Sequence, residues 1–339
     1  MKKYFIVYIF LLMLCVTACK KIDVIDDEHT SDIRAIGDFI HNNYDLSLLS
    51  AALQQTGLLD SLNTGGPFTV WAPDNKAFNN IGINKPTDFS GMNVDSLRTA
   101  LKNLLLNERL FTADIPSQLD NRYTCLGGMS CYLSVYTAGI TNPDAYTTTF
   151  NGSMVYDGNK RNLAMKNGVV HILKSVPKYT GRSTQDVLAA DTTLSIFVAL
   201  LKKTNQWDAL KAEGPFTIYA PVNDAFRSFQ LTSDSIARID ISRYKPLAFS
   251  IYTLKLVPHH ILMNDLNIGG NIDLGDGYVL NPNANLIFNV FAPGGKAGYH
   301  SPWGITISGG AAGQDIMTTN GVIDHLNSIL LYPDSLLIK

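Results

Sequence analysis

Between residues 46 and 62 the chain reads LSLLSAALQQTGLLDSL, and its apolar positions Leu48, Leu49, Ala52, Leu53 and Leu59 recur at helical spacing. They describe one face of an amphipathic helix laid on a core. The pattern returns at 194–210, LSIFVALLKKTNQWDAL, with Ile196, Phe197, Leu200, Leu201 and Trp207 in the matching places. Each segment precedes a short β-rich run, Thr69-Val70-Trp71 or Thr217-Ile218-Tyr219. Ala-Pro ends both runs, because proline lacks a ladder donor and biases its predecessor toward extended geometry. Asn75 and Asn223 then stand where a helix cap is expected, before a turn that presents Ala and Phe to the core. Asn167-Gly168 and Asn320-Gly321 read as hairpin turns, since both residue types tolerate positive φ. Helix, strand and hairpin are mixed within each segment, so the predicted fold class is α+β.

The recurrence extends to an internal repeat. GPFTVWAPDNKAF (66–78) and GPFTIYAPVNDAF (214–226) are identical at nine of thirteen positions, 148 residues apart. A second pair, Asn167-Gly168-Val169-Val170 and Asn320-Gly321-Val322-Ile323, follows in the same order. Two homologous domains in tandem are therefore predicted, which suits a length of 339 residues. With 46% hydrophobic and 17% charged residues, the composition is too apolar for a disordered chain. A net charge of -2 without a run of five like charges offers nucleic acid no electrostatic footprint, so no nucleic-acid partner is expected.

The N-terminus changes the picture of location. Lys2 and Lys3 precede an uncharged apolar stretch from Tyr4 to Val16, a secretory signal too short to span a bilayer as a mature helix. Val16-Thr17-Ala18-Cys19 resembles a bacterial lipobox. That resemblance implies removal of residues 1–18 and lipidation of Cys19. Acyl chains bury about 0.8 kcal/mol per methylene, so several of them hold a protein on a membrane effectively permanently. Residues 19–31 are polar and aperiodic and read as a lipidated tether. By resemblance to lipoprotein sorting rules, Lys20 in place of Asp argues against inner-membrane retention, and the Asp26-Asp27-Glu28 cluster is compatible with the outer membrane or cell surface. With Cys15 in the signal and Cys19 lipidated, Cys125 and Cys131 remain. Their C-x5-C spacing makes them a candidate disulfide in an oxidising compartment. Two reduced thiols or half a metal site are the competing readings, and the spacing is poor for zinc.

The repeated motifs resemble the two signatures of fasciclin-like domains: the Gly-Pro-Phe-Thr runs match the first, NGVVHILKSV and NGVIDHLNSI the second. The resemblance covers residues 32–179 and 183–333. It implies two tandem domains, each a roughly seven-stranded β-sandwich or wedge flanked by helices, in a secreted or surface-anchored protein associated with adhesion. Between its signatures the family carries a tyrosine-histidine pair, discussed both as structural and as part of an integrin-binding surface. In LKLVPHHIL, His260 matches the histidine and His259 replaces the tyrosine, whereas the first copy has Asn103-Leu104 there. His260 is read as a structural histidine, its ring nitrogen bonded to buried backbone, against a ligand-contact role. His171 fits the histidine of the second signature, where the other copy has Asp324 followed by His325. Both places are read as structural.

Catalytic motifs do not appear: the sequence has no G-x-S-x-G, H-E-x-x-H, P-loop or G-x-G-x-x-G. No enzyme activity and no cofactor are expected. His259, His260, His300 and His325 could converge on a metal, but adjacent histidines on a strand point to opposite faces, and no metal site is predicted. Asp273-Leu274-Gly275-Asp276-Gly277 reads as a β-turn rather than a calcium loop. Tyr132, Tyr136, Tyr146, Phe150 and Tyr156, with Phe291, Tyr299, His300 and Trp303, lie where the two copies diverge, and recognition on a repeated scaffold concentrates in such segments. Completion of each core is the competing role for these rings. The candidate partner-binding residues are His259, His260, Tyr299 and Trp303. The expected function is that of a lipid-anchored cell-envelope adhesion or binding protein, non-enzymatic, engaging a protein or polysaccharide partner. The alternative is a glycan-binding accessory lipoprotein of an outer-membrane nutrient-uptake system.

Overall fold

A computed structural model of the protein describes residues 33–137, 146–254, 260–265, 272–282, 288–293, 296–297, 302 and 305–338. The periodic segment at 46–62 forms two helices rather than one, Ser47–Gln55 and Leu58–Thr64. The break falls at Gly57, which is left-handed at φ 70°, and Asn205 takes the same conformation at φ 60° in the second copy. Glycine meets no Cβ clash there and asparagine tolerates it, so both chains turn at the same place. Leu48, Leu49, Ala52 and Leu53 are buried as the spacing predicts, and so are Ile196, Phe197, Leu200 and Leu201.

Eight strands follow in the first unit: β1 (Phe68–Pro73), β2 (Leu105–Leu106), β3 (Asn121–Thr124), β4 (Ser130–Thr137), β5 (Tyr146–Phe150), β6 (Ser153–Met154), β7 (Leu163–Met165) and β8 (Gly168–Leu173). They make two four-stranded sheets, ordered β2-β1-β8-β7 and β3-β4-β5-β6. After β9 (Lys178–Tyr179) the second unit repeats the plan with β10 (Phe216–Pro221), β11 (Thr253–Leu254), β12 (Ile272–Gly275), β13 (Tyr278–Pro282), β14 (Phe288–Ala292), β15 (Lys296–Ala297), β16 (Ile316–Met317) and β17 (Gly321–Leu326). Its sheets are ordered β11-β10-β17-β16-β9 and β12-β13-β14-β15. The class is α+β as predicted, with eight short strands per unit among the described residues where about seven were expected. β9, placed by sequence at the end of the first domain, is hydrogen-bonded into the second unit's sheet, parallel to β16. Asp276 lies in the turn between β12 and β13, at φ 51°.

The two repeated motifs meet in each unit. β1 runs parallel to β8, with Phe68 opposite Gly168 and Pro73 opposite Leu173. β10 and β17 repeat that register from Phe216–Gly321 to Pro221–Leu326. Trp71, fully buried at the centre of β1, stacks on His171 of β8 at 4.4 Å and on Phe150 of the other sheet at 5.0 Å. It thereby ties the two layers into one core. Among the described residues, no single helix is long and apolar enough to cross a membrane.

Two polar expectations are corrected in detail. Asn75 does not cap its own helix; Asp74 does, accepting from Ala77 N at 2.9 Å. Asn75 reaches back instead, its Oδ1 accepting from Leu48 N at 3.0 Å, so it satisfies a donor in the first turn of the helix Ser47–Gln55. Asn223 does the same for Ile196 N at 2.9 Å. The Asn-Gly hairpins form, but neither residue of either pair takes a positive φ. The glycine is needed for close approach, since a Cβ on Gly168 would collide with the carbonyl oxygen of Phe68. Asn167 accepts from Ile36 N at 3.0 Å and donates to Leu62 O at 2.8 Å and Gly65 O at 2.6 Å. Asn320 makes the corresponding bonds to Thr184 N, Leu210 O and Ala212 O. At about 1 kcal/mol for each lost bond, Asn167→Ala is expected to lower stability by about 3 kcal/mol. A denaturant midpoint equal to that of the native chain would show the asparagine to be dispensable.

Candidate functional site

Side chains alternate along a strand, so Cys131, Leu133 and Val135 of β4 face the first core while Tyr132, Ser134 and Tyr136 face the opposite way. That second face meets the following domain. Tyr136 Oη donates to Asn264 O at 2.8 Å, and Asn264 Nδ2 donates to Gly152 O at 2.6 Å. Beside them, Asp120 Oδ2 accepts from both the backbone N of His260, at 2.7 Å, and its ring Nδ1, at 3.0 Å. The two side chains are 1% and 5% exposed, so this pair is shut away from water. Asp120 is itself fixed through its amide, which donates to Ser134 Oγ at 3.0 Å. Its Oδ1 is buried without a partner. The Tyr132 ring lies 4.5 Å from that of His260, tilted by 60°.

A cleft of about 720 Å³ opens at this seam, bounded by Asp120, Arg122 and Tyr132 from one domain and Glu213, His260 and Thr319 from the other. Holding Nδ1–H on a carboxylate sets the ring orientation of His260 and leaves Nε2 as its remaining polar atom. On the same side, Arg122 stands directly across the β3–β4 ladder from Tyr132. Its Nε donates to Ser130 Oγ at 3.0 Å.

The seam holds a second polar patch. Asp315 Oδ1 accepts from Met263 N at 2.7 Å, Asp324 Oδ1 accepts from Asp315 N at 2.8 Å, and Lys178 Nζ donates to Gln314 O at 2.5 Å. Burial raises the Asp315 carboxyl, raises that of Asp324 further, and lowers the Lys178 ammonium. All three are held toward their neutral forms.

His171 has a structural setting, as its sequence position predicts. Nε2 contacts Leu110 O at 3.0 Å and Nδ1 accepts from Asn162 N at 3.3 Å. Burial brings its pKa down to about 4, against the smaller opposing effect of the Leu110 carbonyl. An unfolded histidine titrates near 6.5, so between about pH 6.5 and 4 the unfolded chain binds a proton that the folded one refuses. The contribution of His171 is full above that window and falls by about 3 kcal/mol through it. Asp315 and Asp324 act in the opposite sense, the folded state keeping protons that the unfolded carboxylates release. A denaturation series from pH 7 to 4 on the native chain and on His171→Asn isolates the histidine: the native chain should lose more stability over that range. Parallel curves would remove His171 as the cause.

Of the predicted partner-binding residues, only His260 lies in the described structure; His259, Tyr299 and Trp303 fall outside it, as do His300 and Cys19. His260 is not bonded to backbone as expected, but to a carboxylate of the other domain. Cys125 and Cys131 are both buried, and they are free cysteines rather than bridged. Their thiols share a hydrogen bond, which with burial pushes the Cys131 thiol far up. Iodoacetamide at pH 8 is therefore expected to modify the folded chain much more slowly than the urea-unfolded one. Equal rates would contradict this environment. The aromatic residues divide by role: Phe150 completes the core, Tyr136 joins the seam, and Tyr156 Oη donates to Asp74 Oδ2 at 2.9 Å. His325 Nε2 stands 3.6 Å from Asp191 Oδ2. Among the described residues no three His, Cys, Asp or Glu are placed to hold a metal ion. Sequence reasoning missed Asp120 and Arg122. Asp120 lies 140 residues from His260 in a divergent stretch, so neither spacing nor repeat pointed to it.

Comparison with known proteins accounts for this plan. Human periostin is 26% identical over 223 residues, a match spanning 63% of this chain and 24% of periostin. Protein sll1483 of Synechocystis is 29% identical over 148 residues, covering 44% of this chain and 72% of its own. The FAS1 domain pair of the insect cell adhesion molecule Fasciclin I aligns with 86% of this chain and 98% of its own, at 18% identity and a TM-score of 0.37. The model of the fasciclin domain matches residues 44–176 and 192–333, most of the chain and one copy in each structural unit. The chain belongs to the fasciclin family, as a tandem pair of its domains.

Proposed function

We propose that this protein is a non-enzymatic binding module of the cell envelope, anchored through a lipid on Cys19 and serving adhesion through its two fasciclin domains. The observation that carries the binding role is the seam. Buried hydrogen bonds fix one domain on the other and leave an open cleft that both domains line. Clefts between domains are common places for recognition. Family membership supports the adhesive role and a surface location, with periostin as a relative over part of its length. The lipobox-like run before Cys19 supports the anchor. The partner is a protein or a polysaccharide.

A mixed array of extracellular proteins and glycans probed with the full chain in detergent micelles tests this reading. Saturable binding to at least one immobilised class is expected, and silence on both would reject it. Binding of soluble oligosaccharides alone would favour the alternative, an accessory lipoprotein of nutrient uptake. For the anchor, Cys19→Ala is expected to move the protein from the membrane pellet to the soluble fraction. Retention in the pellet would exclude lipidation at Cys19 as the tether.

A further inference from the structure

We propose that the cleft at the domain seam binds an acidic oligosaccharide, with Arg122 pairing its carboxylate and Tyr132 forming an aromatic wall. This rests on the binding role proposed above and names its ligand class. Among the described residues the lining is polar and aromatic, with no Leu, Ile, Val, Met, Phe or Trp. A protein partner's aliphatic anchors would find no Leu, Ile, Val or Met among the described lining residues to seat against. Hydroxyl-rich chains suit it better, since they use side-chain hydrogen bonds together with flat rings for their apolar faces.

Charge selects further. Of the two acidic residues at the cleft, Asp120 is bonded through its carboxylate to His260, and Glu213 has an interaction as well. Among the described residues Arg122 donates from Nε, to Ser130, and the outer edge of its guanidinium is left for an incoming anion. A guanidinium edge matches a carboxylate in two parallel bonds. Tyr132 stands across the ladder from Arg122, so a sugar whose carboxylate reaches the arginine lies beside the ring.

Isothermal titration of the full chain with oligogalacturonate, and with a neutral maltodextrin of equal length, tests the assignment. Oligogalacturonate is expected to bind at least tenfold more tightly, with the preference shrinking at high salt. Arg122→Gln should abolish that preference, while Arg122→Lys retains part of it. Tyr132→Ala should weaken binding about tenfold or more, and because this ring also touches His260, its thermal transition is measured alongside. Arg243→Gln, on an exposed arginine of the second domain, should change nothing. Equal binding of the two chains, or an acidic preference untouched by Arg122→Gln, overturns the proposal. A protein that captures array proteins but neither oligosaccharide refutes the saccharide assignment and keeps the general binding role. One that captures nothing refutes both.

Discussion

Trp71→Ala is expected to destabilise the protein by about 4 kcal/mol, the loss typical of a large aromatic side chain removed from a core. The indole is fully buried and touches rings from both sheets of its domain, so truncation opens a cavity between layers held by secondary structure on either side. Little collapse can fill it. The indole Nε1 is buried without a hydrogen-bond partner, so Trp71→Phe sheds an unsatisfied donor while keeping most of the stacking surface. That variant should cost about 1 kcal/mol. Urea denaturation followed by far-UV circular dichroism measures both. A Phe variant as damaged as the Ala variant would mean that the indole outline, rather than aromatic bulk, holds the layers together.

Asp120→Ala is expected to cost about 3 kcal/mol or more, since it strips the acceptor of both the His260 amide and Nδ1 in a dry interface. The damage should fall on the docking of the domains before it reaches either core. Unfolding is then expected to separate into two transitions, and small-angle scattering should show a larger maximum dimension before the first. His260→Ala should produce the same separation, and the double variant should cost less than the two single losses added, because the residues share one interaction. A single cooperative transition near that of the native chain would mean that β9 and the Tyr136–Asn264 contact suffice to hold the seam.

The sequence was most legible where it repeats. The buried positions of the helices Ser47–Gln55 and Ser195–Lys203 and the strands of the Gly-Pro-Phe-Thr motifs follow from periodicity and turn chemistry, which act over a few residues. The roles of Asn75 and Asn167 were harder to read. Their positions mark turns, but their side chains bond to segments 27 to 131 residues away, which no local rule reports. The seam was least legible. Asp120 and His260 have no matching pair in the repeat, and the alternation that turns Tyr132 outward acquires meaning only when a second domain lies against it. His260 was found through a family motif, yet its partner belongs to another domain.

The strand pairing of β9 sets a limit on how the protein can be divided. Lys178–Tyr179 closes one side of β16, which pairs on its other side with β17. A fragment cut just after Tyr179 would carry every residue of the second family match and still present β16 as an open edge. Exposed edges recruit strands from other molecules, so such a fragment should associate with itself or borrow a β9 from an intact chain. For this pair of domains, the smallest second half that can stand alone begins before Lys178.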